Sequence, residues 1–189
     1  MVSLIVGLGN PGAQYEDTRH NAGAWFTHHL IENAHATARH APKFQGLHCI
    51  TQLHNQECHL LIPTTFMNLS GQAVQAVASY YKIAPEHILV AHDEIDLPAG
   101  EIRLKFDGGH GGHNGLRDII RHLNSNKFYR LRIGVGHPGD SKLVHDYVLH
   151  PPKKAEREQI NAGMDKAMQT MPLILRGEFQ KAMLELHTK

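Results

Sequence analysis

Five short polar segments hold the side chains that could do chemistry: Gly7-Leu8-Gly9-Asn10-Pro11-Gly12, the cluster Tyr15 with Thr18-Arg19-His20-Asn21-Ala22-Gly23, Phe66-Met67-Asn68-Leu69-Ser70-Gly71, His92-Asp93-Glu94-Ile95-Asp96, and the glycine-rich run 108–115 with Gly111, His113 and Asn114. Together they offer a base, an acid partner and the amides of Asn10, Asn68 and Asn114. That set suits attack of water on an acyl group. An imidazole takes the proton from water, a carboxylate fixes its tautomer, and amide NH₂ groups hold the acyl oxygens.

Each segment also has a plain structural reading. The first matches the G-x-G-x-x-G dinucleotide pattern, but Pro11 has no N–H to offer a phosphate, no helix opens at Gly12, and the only acidic residue about 20 positions on, Glu32, falls in a helical stretch. A nicotinamide site is therefore not expected, and Asn10-Pro11-Gly12 reads equally as a tight turn. His20 could be structural, Asn68, Ser70 or Asn114 could be helix N-caps, and residues 92–96 could be a solvated acidic loop. His110-Gly-Gly-His113 beside carboxylates raises metal-assisted hydrolysis, yet no His-x₃-His helix or cysteine cluster supports it, so no metal is expected.

Positioning these groups requires a scaffold, and its pattern is legible. Residues 2–8 form a short apolar run ending in glycine-rich sequence, the signature of a buried strand feeding a loop. A helix is expected over 20–34, a hairpin over 47–62, and a helix over 70–82 with Ala73, Val74, Val77, Ala78 and Tyr81 on one face. Strands follow at 88–91, 101–106 and 130–135, with helices at 116–123, 153–171 and 178–187. Strands alternating with helices, plus one hairpin, predict an α/β fold with a mixed central β-sheet covered by helices on both faces. Loops at the carboxyl ends of its strands would gather the site.

The 189 residues suit a single domain over 1–189. Hydrophobic residues make up 41%, and no apolar run approaches the ~18 residues of a membrane span, so no membrane association is expected. The opening Met-Val-Ser-Leu-Ile-Val-Gly lacks a basic n-region and reads as a first strand rather than a signal peptide, which predicts a cytoplasmic protein. Lys+Arg 19 against Asp+Glu 18 leaves a formal charge of +1, too balanced to name a partner. The 17 histidines make that charge pH-dependent near neutrality.

Cys49 and Cys58 can be tested against the hairpin. A turn at Asn55-Gln56 would pair Leu53 with Cys58 and Cys49 with Ile62, leaving the cysteines roughly 13 Å apart along the strands. A disulfide needs Cα atoms within ~7 Å. Both are read as small buried hydrophobes in a reducing compartment.

In this order and spacing the segments resemble the bacterial-type peptidyl-tRNA hydrolase family. The likeness continues through Gly111-Gly112-His113-Asn114-Gly115-Leu116-Arg117, Arg132-Ile133-Gly134-Val135-Gly136 and Asp146-Tyr147-Val148-Leu149, spanning nearly the whole chain. It implies cleavage of the ester joining a peptide to the terminal ribose of tRNA, by a monomer without a cofactor, which recycles tRNA from peptidyl-tRNA released prematurely by ribosomes. On this resemblance His20 is the general base and Asp93 its partner. Asn10, Tyr15, Phe66, Met67, Asn68, Gly111 and Asn114 bind the substrate, with Asn10 helping to reject free aminoacyl-tRNA. Lys105 and Arg132, with Lys142 added, form a clamp for the tRNA phosphate, and His137 stands where many relatives carry Arg. The alternative reading is a tRNA-binding module without chemistry, for which the basic residues and exposed aromatics would suffice.

Overall fold

Strand β1 (Leu4–Gly7) is buried along its whole length, as a strand covered on both faces must be. In the computed structural model, which describes residues 1–188, six more strands join it: β2 (Arg39–Ala41), β3 (Gly46–Leu53), β4 (Gln56–Pro63), β5 (Ile88–Glu94), β6 (Ile102–Phe106) and β7 (Tyr129–Gly134). Their order in the sheet is β2-β3-β4-β1-β5-β7-β6. The four central strands run parallel, and β3, β2 and β6 flank them in antiparallel register. The expected mixed sheet is thus a parallel centre with antiparallel margins.

Helices α1 (Ala22–Asn33), α2 (Ser70–Tyr81), α3 (Asn114–Leu123), α4 (Val144–Val148), α5 (Lys154–Leu175) and α6 (Phe179–His187) complete the domain. Ile5, Leu89, Ala91, Leu131 and Ile133 pack against Phe26 of α1, Met164 of α5 and Leu186 of α6. On the opposite face Leu4, Val6 and Val90 pack against Val74 of α2 and Ile119 of α3. Alternation along each strand therefore sends successive side chains into two separate cores. No described helix is long and apolar enough to cross a membrane.

Several elements depart from the sequence reading. The hairpin turns at His54-Asn55, both at positive φ (48° and 66°), so Leu53 pairs with Gln56 rather than Cys58. A two-residue turn with both centres left-handed matches the twist of the strands, and it falls one residue earlier than the expected two-residue turn at Asn55-Gln56. Cys49 consequently faces Leu60 and Cys58 faces Thr51, two positions out of register instead of four. Both are free and buried, and burial pushes the Cys58 thiol up to about 12.

Helix α5 runs through Pro172, where the sequence reading stopped it at 171. A proline in a helix interior costs about 3 kcal/mol. Here it falls in the last turn, and the complete burial of Met171, Ile174 and Leu175 offsets the missing hydrogen bond. Strand β2 and helix α4 were not anticipated. Arg39-His40-Ala41 carries no apolar pattern and takes its strand form from backbone pairing to β3, with only Ala41 packed against a core, and in α4 five residues are too few for a helical period.

Candidate active site

Two glycines let α1 lie directly on the sheet. A Cβ at Gly23 would stand 2.0 Å from the Ala91 carbonyl oxygen of β5, and one at Gly7 would stand 2.3 Å from Thr27 Oγ1. With neither present, the first turn of α1 touches β5 and the turn Arg19–Asn21 before it reaches the carboxyl end of that strand. His20 and Asp93, far apart in sequence, meet there. His20 Nδ1 lies 3.0 and 2.9 Å from the two Asp93 carboxylate oxygens.

Strand β5 extends to Glu94, three residues beyond the sequence expectation, so Asp93 is an integral strand residue and not part of a solvated loop. Its side chain is 2% exposed. A second imidazole completes its environment: His113 Nε2 sits 2.8 Å from Asp93 Oδ1. The opposite nitrogen, His113 Nδ1, accepts the backbone N–H groups of Gly115 and Leu116 at 3.1 and 3.3 Å and so caps α3. That role fixes the tautomer, because a nitrogen that accepts two N–H groups carries a lone pair, leaving the proton on Nε2 to be donated to Asp93. The N-cap that the sequence suggested for Asn114 thus belongs to His113. Neither Asn68 nor Ser70 caps α2, and Ser70 Oγ donates to the Met67 carbonyl instead.

Burial alone would raise the Asp93 pKa, but the charges and hydrogen bonds of His20 and His113 outweigh it and hold the carboxyl well below the usual range. For His20, burial disfavours the charged form, yet the Asp93 anion and its hydrogen bond prevail and raise the pKa above the ordinary value of 6.5. An anion opposite Nδ1 favours the Nδ1–H tautomer, which leaves the Nε2 lone pair for a proton from water. Neighbouring His92 behaves oppositely. Burial, reinforced by His113, lowers it to about 4, and its Nδ1–H donates to the Asp93 carbonyl oxygen at 2.8 Å.

The ligand atoms of His20, Asp93 and His113 all lie within 4.8 Å of one another, the one such three-residue cluster among the described residues. Each nitrogen facing Asp93 carries a proton by the tautomers above, so N–H···O bonds account for the cluster.

A cleft of about 830 Å³ opens on this group. Of the residues singled out from sequence, it brings together Asn10, His20, Phe66, Met67, Asn68, Asp93, Gly111, Asn114, Lys105 and Arg132. Two amides are anchored by their oxygens: Asn10 Oδ1 accepts Met67 N–H at 2.7 Å, and Asn114 Oδ1 accepts Arg117 Nη1–H at 3.0 Å. Anchoring the acceptor leaves each NH₂ as the free, donating end. Tyr15 does not line the cleft but meets Phe66 edge-on, with ring centroids 6.4 Å apart. Lys142 is exposed in the turn Ser141–Leu143 and likewise stands outside the lining, although its neighbour Ser141 belongs to it.

Register puts the basic residues together. Arg132 pairs with Arg103 and Lys105 with Arg130 across β6 and β7, so all four project from one face. They are not equivalent. Arg132 Nε binds Glu94 Oε1 at 2.9 Å, whereas Lys105 is exposed and has no carboxylate partner among the described residues. Arg130, which sequence reasoning passed over, is buried. It donates to the carbonyls of Gly108, Gly109 and Asn126 and thereby shapes the glycine-rich loop that delivers Gly111 and His113.

His113 was grouped in sequence only with His110 as a metal candidate, and its tie to Asp93 was missed. The usable signal was its place directly before a helix start, the position of a capping acceptor. The G-x-G-x-x-G run resolves as a turn. Gly12 takes φ 103° and no helix opens until Ala22.

With this geometry established, comparison with known proteins is direct. The family model described as peptidyl-tRNA hydrolase matches residues 4–189. The crystal structure of peptidyl-tRNA hydrolase from Acinetobacter baumannii superposes with a TM-score of 0.95 at 46% identity, covering 98% of this chain and 94% of that one. A crystal structure of peptidyl-tRNA hydrolase in complex with N-propanol matches equally, with a TM-score of 0.95, 46% identity and the same 98% and 94% coverage.

Proposed function

The chain belongs to the peptidyl-tRNA hydrolase family and is an ester hydrolase acting on peptidyl-tRNA, and from that premise we propose that His20 is the base that activates the attacking water. The observation that carries this reading is the hydrogen bond from His20 Nδ1 to the buried Asp93 carboxylate, which leaves Nε2 to accept the proton. Hydroxide adds to the ester carbonyl as the proton moves to Nε2. The ribose oxygen then departs, taking the proton back from the imidazolium. Asp93 stabilises that cation and stays ionised throughout. A metal is not required for any of these steps.

The anchored amides of Asn10 and Asn114 donate to substrate carbonyls, and Asn68 adds a third donor. Asn10 contributes to rejecting a free α-amine. Phe66 receives the terminal nucleoside, buttressed by Tyr15, with Met67 and Gly111 forming the walls nearby. Lys105 and Arg132, with Lys142 at the rim, hold the tRNA phosphates, because an enzyme that serves many tRNAs needs backbone contacts more than base readout. The protein acts as a monomer in the cytoplasm, a setting in keeping with its two free buried cysteines. Its product is tRNA returned to use from peptidyl-tRNA that left the ribosome early. The other sequence reading, a binding module without chemistry, gives way to the family assignment.

The test compares hydrolysis of an N-blocked aminoacyl-tRNA with that of its unblocked form, by wild type and His20→Ala. Cleavage of the blocked form alone by wild type, with turnover in the variant reduced by about 10²–10⁴ while tRNA binding survives, is expected. Wild-type turnover in His20→Ala would sink the mechanism.

A further inference from the structure

The residue immediately before the base is buried and has no part in the chemistry above. Arg19 reaches away from Asp93, toward the short helix α4. The last carbonyls of any helix lack intrahelical partners. In α4 two of the carbonyls at and just past this end are claimed by Arg19, whose Nη1 donates to Tyr147 O at 2.8 Å and to His150 O at 3.2 Å. The backbone N–H of Arg19 also donates to His150 O at 3.1 Å. The guanidinium lies 3.7 Å over the Tyr147 ring and 3.5 Å from Glu156 of α5. A cation at a helix carboxyl end is also favoured by the helix dipole.

Helix α4 matters because Val144, His145 and Val148 line the catalytic cleft, with Leu149 just beyond. Its amino end follows a loop through Gly139, around which there is open space. Its carboxyl end is held by Arg19 and by Tyr147 Oη, which donates to Val135 O at 2.7 Å. One wall of the cleft is thus fastened to the same three-residue turn, Arg19–Asn21, that carries His20.

We propose that Arg19 is a positioning residue that clasps α4 to the catalytic turn and so sets the distance between this wall of the cleft and His20 Nε2. The proposal rests on His20 as the base. An error of about 1 Å in the placement of reacting groups can cost about 10²-fold in rate, so the clasp acts on kcat.

Arg19→Lys keeps the charge but loses the planar two-carbonyl grip and the stacking on Tyr147. It is expected to lower kcat at least about tenfold, to speed hydrogen exchange at the amides of Leu149 and His150 relative to those of β5, and to leave the acid midpoint of the kcat profile in place. Tyr147→Leu loosens the clasp from α4's side without altering any residue of the catalytic turn, and a smaller fall in kcat with the same unshifted midpoint is expected. Wild-type kcat in both variants overturns the proposal, as does a moved midpoint, which would mean that Arg19 acts on the His20–Asp93 pair itself. If Arg19→Lys fails to fold, Tyr147→Leu alone decides. His20→Ala in parallel tests the base separately: turnover surviving there counts against the base, whereas wild-type kcat in the clasp variants counts only against the clasp.

Discussion

His113 Nε2 donates to the same carboxylate that holds His20, 2.8 Å from Asp93 Oδ1. Asp93 is therefore shared, its anion orienting His20, the proposed base, while also tying down the start of α3. Replacing His113 with Ala removes one donor to Asp93 and the cap of α3 at once. A helix cap contributes about 0.5–2 kcal/mol, so a lower Tm is expected together with a fall in kcat smaller than that of His20→Ala. His113→Asn should recover part of the Tm, since asparagine caps helices well, without restoring kcat. Thermal melts and steady-state kinetics on the two variants check this.

Asp93→Asn preserves shape but replaces the anion with a neutral amide. A fall in kcat of about 10²-fold or more is expected, because the imidazolium formed in the reaction loses its counter-charge. The elevation of the His20 pKa comes from Asp93, so the acid midpoint of residual activity should move to lower pH. An unchanged kcat would reduce Asp93 to a structural role.

The wild-type pH profile follows from the same pair. His20 must be neutral to act as a base, and its pKa is raised above 6.5, so kcat should climb with pH through a midpoint above that value. Stability has the complementary signature. The raised His20 pKa contributes stability that is fully present below 6.5 and fades as pH rises through the folded-state value. The depressed Asp93 pKa contributes stability above 3.8 that is lost as pH falls toward its lower folded-state value. Denaturant titrations across pH measure both.

Lys105 and Arg132 should separate in binding assays. Each phosphate contact removed flattens the dependence of log affinity on log salt by about 0.7–0.9. Lys105→Ala should show that full change. Arg132→Ala should show less, because Glu94 already neutralises much of its charge. Equal wild-type slopes in both variants would place the phosphate clamp elsewhere.

Exhaustive chelation should leave kcat unaltered, since the proton transfer proposed for His20 needs no Lewis acid. Loss of activity restored by a divalent cation would assign the cluster of His20, Asp93 and His113 to a metal instead.

Much of the architecture was readable because burial imposes period: the apolar runs of β1 and β5 and the stripe on α2 announce a sheet between helices. What could not be read was set by partners rather than by local pattern. Strand β2 exists only through β3, and the hairpin register depended on two residues, His54 and Asn55, adopting the left-handed conformation. In the site, residue types marked the polar segments, and the family resemblance singled out His20 and Asp93 within them. The bond between His113 and Asp93, the grip of Arg130 on the glycine-rich loop and the Glu94–Arg132 pair are tertiary, and no spacing in the chain encodes them.

The far margin of the sheet carries one more consequence. Strand β6 pairs with β7 on one side only, and on the other the Leu104 N–H donates to His187 Nε2 of α6 at 3.1 Å. Burial, then Arg103 and Arg132, push the His187 pKa down, which keeps that nitrogen free to accept. A sheet margin with open amides is a template on which foreign strands can add. By occupying the middle of this one with an imidazole, the chain blocks edge-to-edge growth there.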